Sequence, residues 1–118
     1  MPEPIEPLRF KRRHPRVPFV GPILVKATGR ELPEAILRTR VLGRGGCLFV
    51  SPRALGRGAL VSLVLPLGSR VLRAKARVVW ERRESGQEVA VGVEFLHLDP
   101  TELSLLETVV PTPAGGGF

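Results

Sequence analysis

The sequence predicts an all-β body of six short strands closed by one C-terminal helix, and three observations carry that prediction. Turn-formers are frequent, with 13 Gly and 12 Pro among 118 residues, and they divide the chain into apolar runs of strand length. The stretch from Arg70 to Glu81 alternates cleanly. Leu72, Ala74, Ala76, Val78 and Trp80 form one face and Arg73, Lys75 and Arg77 stud the other, the pattern of a half-buried strand with a basic outer surface. Only near the C-terminus does the period become helical, at Leu103, Leu106 and Val110 with Leu105 and Val109 beside them.

One chain of this length makes one domain with a modest core. The segment 1–8 alternates proline with acids and is expected to be flexible. It has no apolar stretch and does not read as a signal peptide. Residues 9–18 form a basic arm. Arg9, Lys11, Arg12, Arg13 and Arg16 stand there with no acid between them, and Pro15 and Pro18 keep the arm extended. Strands are then expected over residues 19–27, 34–42, 47–50, 59–65, 70–81 and 89–95. In the second, Ala35, Leu37, Thr39 and Val41 alternate with Ile36, Arg38 and Arg40. The break after it is Gly43-Arg44-Gly45-Gly46. Pro66 is expected to stop the fourth strand. In the sixth, Val89, Val91, Val93 and Phe95 share a face, and Gly92 on the other suits a bend or a close backbone approach. The helix is expected over residues 100–110, with Asp99 as N-cap, Pro100 first and Glu102 reaching back to the cap. The tail 111–118 is rich in Gly and Pro and is expected to be disordered.

Chemistry narrows the functional classes. Two histidines stand at opposite ends of the chain, His14 and His97, and neither a Gly-x-Ser-x-Gly nor a Walker-type sequence occurs. No enzyme and no cofactor is indicated. The single cysteine, Cys47, makes neither an internal disulfide nor a zinc site. It reads as a small buried strand residue, although Arg44 nearby would favour its thiolate. No apolar run reaches membrane-span length, and a cytoplasmic location is the default. The net charge of +7 favours an anionic partner. Of 18 basic residues 15 are arginine, whose planar fork holds phosphates and guanine edges bidentately. A genome biased toward arginine codons accounts for that excess equally well. Gly43 to Gly46 would suit a nest of backbone N–H groups around an anion, or simply a tight strand connection.

The order of these parts resembles a PilZ domain over roughly residues 9–110. An arginine arm is followed by a strand, a glycine turn, "Cys-Leu-Phe-Val", "Ala-Arg-Val-Val-Trp", "Val-Gly-Val-Glu-Phe" and a short helix. The resemblance implies a six-stranded antiparallel β-barrel with a C-terminal α-helix, and a bacterial receptor for cyclic di-GMP. The family's first motif, Arg-x-x-x-Arg, is matched by Arg12 and Arg16. Its second, Asp/Asn-x-Ser-x-x-Gly, is matched only at Gly46; Val41 and Gly43 stand where the family has Asp/Asn and Ser. Two lost side-chain contacts weaken binding by roughly ten- to a thousandfold, at about 1 kcal/mol or more each. On this resemblance Arg12 and Arg16 grip the nucleotide, Arg13 or Arg44 assists, and Gly43 to Gly46 give backbone donors. Binding orders the arm. The alternative is a degenerate PilZ domain that binds no nucleotide and serves as a protein-interaction module. A basic nucleic-acid-binding barrel is disfavoured by the aromatic supply, five Phe, one Trp and no Tyr, with Phe49, Trp80 and Phe95 expected to face the core. Monomer and homodimer remain equally open, as does the downstream partner.

Overall fold

The computed structural model describes residues 16–29 and 34–110. Six strands and one helix follow in chain order: β1 (Arg16–Ala27), β2 (Ala35–Gly43), β3 (Gly46–Ser51), β4 (Leu60–Leu67), β5 (Arg70–Arg83), β6 (Val89–His97) and α1 (Pro100–Glu107). They close into an antiparallel barrel in the ring order β1-β2-β3-β6-β5-β4. The expected fold class is therefore the observed one. The expected segments 1–8 and 111–118, and most of the arm, lie outside the described residues.

The interior is one continuous aliphatic core. Ile23, Val25, Leu42, Phe49, Val61, Leu63, Leu65, Leu72, Ala76, Val78 and Val91 are all buried in it. These are the inward positions of an alternating pattern on every strand, as a half-buried sheet requires. Helix α1 adds Leu105 and Leu106, and Val110 just beyond it is fully buried as well. The antiparallel ring brings the starts of β1, β3 and β5 and the ends of β2, β4 and β6 to one rim. Helix α1 covers that rim.

The helix start differs in one detail from expectation. Asp99 is the N-cap and accepts from the Glu102 backbone N–H at 2.9 Å. Glu102 does not reach back to the cap. Its Oε1 accepts the Arg73 backbone N–H at 3.0 Å instead. β6 pairs with β5 only from Lys75 onward, so Glu102 satisfies a β5 donor where the ladder has run out.

Bulges change the phase of four strands; in β6 the extra residue is Leu96, between the pairs Lys75–His97 and Ala76–Phe95. In β1 the register slips between Pro18 and Gly21. In β2 it slips between Thr39 and Val41, where Arg40 is the extra residue, and in β5 between Val78 and Trp80, where Val79 is extra. A bulge reverses the faces beyond it. Leu42, not Val41, therefore continues the buried face of β2, which corrects the expected alternation. Trp80 moves to the outer surface, and Glu81 takes the inward phase. The Glu81 carboxylate accepts the N–H groups of Leu55, at 2.6 Å, and Gly56, at 3.2 Å, and so fixes the loop after β3.

The β1 bulge is also tied inside. Thr39, fully buried, donates its hydroxyl to the Gly21 carbonyl at 3.0 Å. Thr39→Val keeps the shape and removes the donor, so it is expected to lower stability by about 1–2 kcal/mol, read as a shift in urea midpoint at unchanged slope.

Pro66 does not end β4. It pairs with Val71 and the strand runs on to Leu67. Its tolerance has a simple cause. β1 and β4 pair only through Leu24–Ala27 and Val61–Val64. Pro66 on β4, and Pro18 and Pro22 on β1, all lie beyond that zone, where the missing N–H breaks no ladder bond between these two strands.

Candidate functional site

The rim covered by α1 brings together the described part of the expected site. Arg16 opens β1 directly across from Gly43, the last residue of β2. Gly46 opens β3 across from Glu94, and Arg44 stands in the turn between. Arg12 and Arg13 lie outside the described residues.

The glycine turn is tighter than a nest. A nest alternates right- and left-handed residues. Among the described residues the left-handed glycines are Gly29, Gly56, Gly58, Gly68 and Gly86; Gly43, Gly45 and Gly46 are not among them. The Gly45 carbonyl accepts from the Phe95 N–H at 2.8 Å, which extends the β3–β6 ladder into the turn. Gly46 is required by packing. A Cβ there would lie 1.9 Å from the Val93 carbonyl oxygen, well inside contact distance.

Arg44 points toward the helix. Its Nη2 donates to Glu107 Oε2 at 2.5 Å, with the two side chains 21% and 34% exposed. Its Nε is buried with no hydrogen-bond partner among the described residues. The turn is thereby tied to the end of α1. An anion arriving at this rim would compete with Glu107 for that guanidinium.

Outside the barrel the bulges create a row that the sequence does not reveal. Val41 pairs with Leu48, Leu48 with Gly92, and Gly92 with Trp80. All four are on the outward phase, so an apolar shelf runs across β2, β3, β6 and β5. Trp80, expected in the core, is half-buried on this shelf. Its indole lies where a Gly92 side chain would be: a Cβ at Gly92 would meet the ring at 2.5 Å. The lone glycine in an otherwise valine-rich strand was the available signal of this close approach. Arg82 stands over the ring, 5.9 Å from its centroid, a cation–π arrangement.

Arginines edge the shelf. Glu84 accepts from Arg40 at 3.1 Å and from Arg82 at 3.3 Å. The Arg40 hydrogen bond is the main cause holding the Glu84 carboxyl below its usual range. Beside Arg40 a groove of about 560 Å³ runs over β2, lined by Ile36, Arg38, Val50 and Glu88 among others.

Nucleophilic chemistry finds no support at Cys47. Cys47 is 7% exposed, on the core side of β3, and burial pushes its thiol pKa up to about 12. It is expected to resist iodoacetamide at pH 8 in the native protein and to react once guanidinium unfolds the chain. Equal rates in both states would contradict this burial. Among the described residues no group of His, Cys, Asp and Glu is arranged to hold a metal, and no helix is long and apolar enough to cross a membrane.

Comparison with known proteins follows this geometry. No curated protein matches the chain. Among solved structures, Bacillus subtilis inhibitor of motility (MotI/DgrA) superposes with a TM-score of 0.69 at 16% identity, over 83% of this chain and 49% of that one. The chain thus spans about half the length of that protein. The PilZ domain of Escherichia coli YcgR, solved with c-di-GMP, gives 0.65 at 16% identity, over 85% and 88%. The PilZ domain of CeSA from a cellulose-synthesizing bacterium gives 0.60 at 18% identity, over 80% and 93%. At these identities the likeness establishes the fold. The family model for the PilZ domain matches residues 10–110, nearly the whole span from the basic arm to the end of the helix turn. With its ring of six strands, its capping helix and that match, the chain belongs to the PilZ domain family.

Proposed function

We propose that this chain is a bacterial, cytoplasmic signalling protein that binds cyclic di-GMP and acts by ordering its arginine arm. The family consists of receptor and effector domains, and on this reading the chain is not an enzyme. The observation that supports it is the pairing of Arg16 with Gly43. The second arginine of the first motif thereby sits against the turn that carries the second motif. The Val41–Trp80 shelf lies beside it, with arginines along its edge. Guanine faces find an apolar floor there, and phosphates meet guanidinium forks. Arg12 and Arg16 grip the ligand, Arg13 or Arg44 assists, and Gly43 to Gly46 offer backbone. Ordering the arm costs about 1–2 kcal/mol per residue fixed, which the charge-assisted contacts must exceed.

Calorimetric titration with cyclic di-GMP at moderate salt, with GTP and a short DNA duplex as controls, tests this reading. Specific heat with cyclic di-GMP alone is expected. Arg12→Ala with Arg16→Ala is expected to weaken binding at least a hundredfold, at about 1.5–3 kcal/mol per charged hydrogen bond, while the barrel stays folded. If the double variant binds like the parent, the arm mechanism is wrong.

A second reading has its own observation. Val41 and Gly43 supply no polar side chain, and Arg44 is already engaged by Glu107. Absence of heat with cyclic di-GMP, checked by a second method, would assign the chain to protein interaction alone.

A further inference from the structure

The sheet face farthest from the glycine turn has a character of its own. In the ring, β4 is three strands from β3 in either direction. Across β1, β4 and β5, Lys26 pairs with Ser62 and Ser62 with Lys75. These residues form one outward row, whose two lysines are separated by about 10 Å at ordinary strand spacing. The adjacent row runs Ile36–Leu24–Val64–Arg73. It is an aliphatic strip ending in a guanidinium, and Ile36 is 74% exposed. Lys26, Arg73 and Lys75 are exposed and have no ion-pair partner among the described residues. Three acids border this face, and one of them, Glu34, is exposed just ahead of Ala35, the partner of Val25. Glu94 pairs with Arg77 at 3.7 Å, and Glu102 accepts the Arg73 backbone N–H.

We propose that this face docks on anionic phospholipid headgroups, so that the barrel rests on a membrane surface without spanning it. Each component has a place in that interaction. The exposed Ile36 and the half-buried Leu24 and Val64 face the headgroup boundary, and the cations around them meet lipid phosphates. Nucleic acid would use the cations but leave Ile36, Leu24 and Val64 facing water. A protein partner is a poorer fit for two reasons. Interface anchors are typically Trp, Tyr and Arg, and lysine is depleted from interfaces. Here the strip is aliphatic, and two of the chain's three lysines flank it. A fluid headgroup layer also follows the convex wall of a barrel, where a protein would need a matching hollow. The inference does not rest on nucleotide binding.

Co-flotation of the full chain with vesicles tests it, comparing pure phosphatidylcholine with a mixture containing roughly 30% phosphatidylglycerol, without nucleotide. Binding to the mixed vesicles alone is expected, and high salt should weaken it. Lys26→Glu with Lys75→Glu is expected to lower partitioning at least tenfold, since each basic residue contributes about fivefold. Ile36→Asp is expected to lower it severalfold. All three positions are exposed, so thermal midpoints should hold; Lys26→Gln with Lys75→Gln serves if charge reversal impairs folding. Arg12→Glu with Arg13→Glu separates the face from the arm, and the face variant is expected to lose more partitioning than this arm variant. Equal flotation with neutral lipid overturns the proposal. So does loss of binding in the arm variant with retention in the face variant. A DNA duplex that displaces the vesicles and binds through Lys26 and Lys75 would reassign the face to nucleic acid.

Discussion

Gly46→Ala is expected to destabilise the barrel by about 3 kcal/mol, the upper end of ordinary overpacking. The added methyl group would lie 1.9 Å from the Val93 carbonyl oxygen, 3.0 Å from its carbonyl carbon and 3.1 Å from the Glu94 Cα. All three obstacles are backbone, so no rotamer change relieves them. β3 and β6 must separate at the first pair of their ladder, Gly46 with Glu94. The Phe95 N–H to Gly45 bond next to it is put at risk as well. Chemical denaturation read by Trp80 fluorescence measures the loss, and an effect below about 1 kcal/mol would mean that the rim yields easily. The outcome also bears on function. Gly46 is the one residue of the second family motif that the chain keeps, and its packing alone requires glycine. Its presence is therefore not evidence for a ligand, and the case for one rests on the arginines.

Phe49→Ala is expected to cost about 4 kcal/mol, within the range for emptying a buried aromatic site. Phe49 is the largest fully buried side chain among the described residues. It faces inward between Thr39 on β2 and Val91 on β6, both also fully buried. A closed ring of six strands has little room to collapse around a void, since its diameter is set by strand number and tilt. Most of the vacated space should therefore persist. Phe49→Leu, which keeps much of the volume, is expected to lose less than half as much. A small effect for Phe49→Ala, with an unchanged denaturant slope, would show that the helix cap settles into the space.

Much of the architecture was legible in the sequence because it follows from periodicity and turn chemistry. The alternation of Leu72, Ala74, Ala76 and Val78 against Arg73, Lys75 and Arg77 is the observed division between core and surface. Asp99-Pro100 starts the helix as its residue types require. Two kinds of information were not legible. A bulge adds one residue without altering composition, so an uninterrupted alternation carries the wrong face past Arg40 and past Val79. Trp80 is expected in the core for that reason, and the shelf that it shares with Val41 is invisible to periodicity. The pairing of Arg44 with Glu107 joins residues 63 apart in sequence; only the closed topology brings the turn beneath the helix end. Gly92 gave a partial signal, since a glycine inside a strand marks a close approach without naming what approaches.

The incomplete pairing of β1 with β4 has a consequence for how this protein meets other chains. Where that ladder stops, a barrel exposes two lengths of strand with open hydrogen-bonding groups, the usual foothold for strand addition and for fibril growth. Pro18, Pro22 and Pro66 occupy that foothold. A strand arriving from another molecule would find donors missing on both sides of the gap and could not zip in register. Self-association by sheet extension is thereby suppressed even at high protein concentration. A partner that meets the barrel along this seam must do so through side chains.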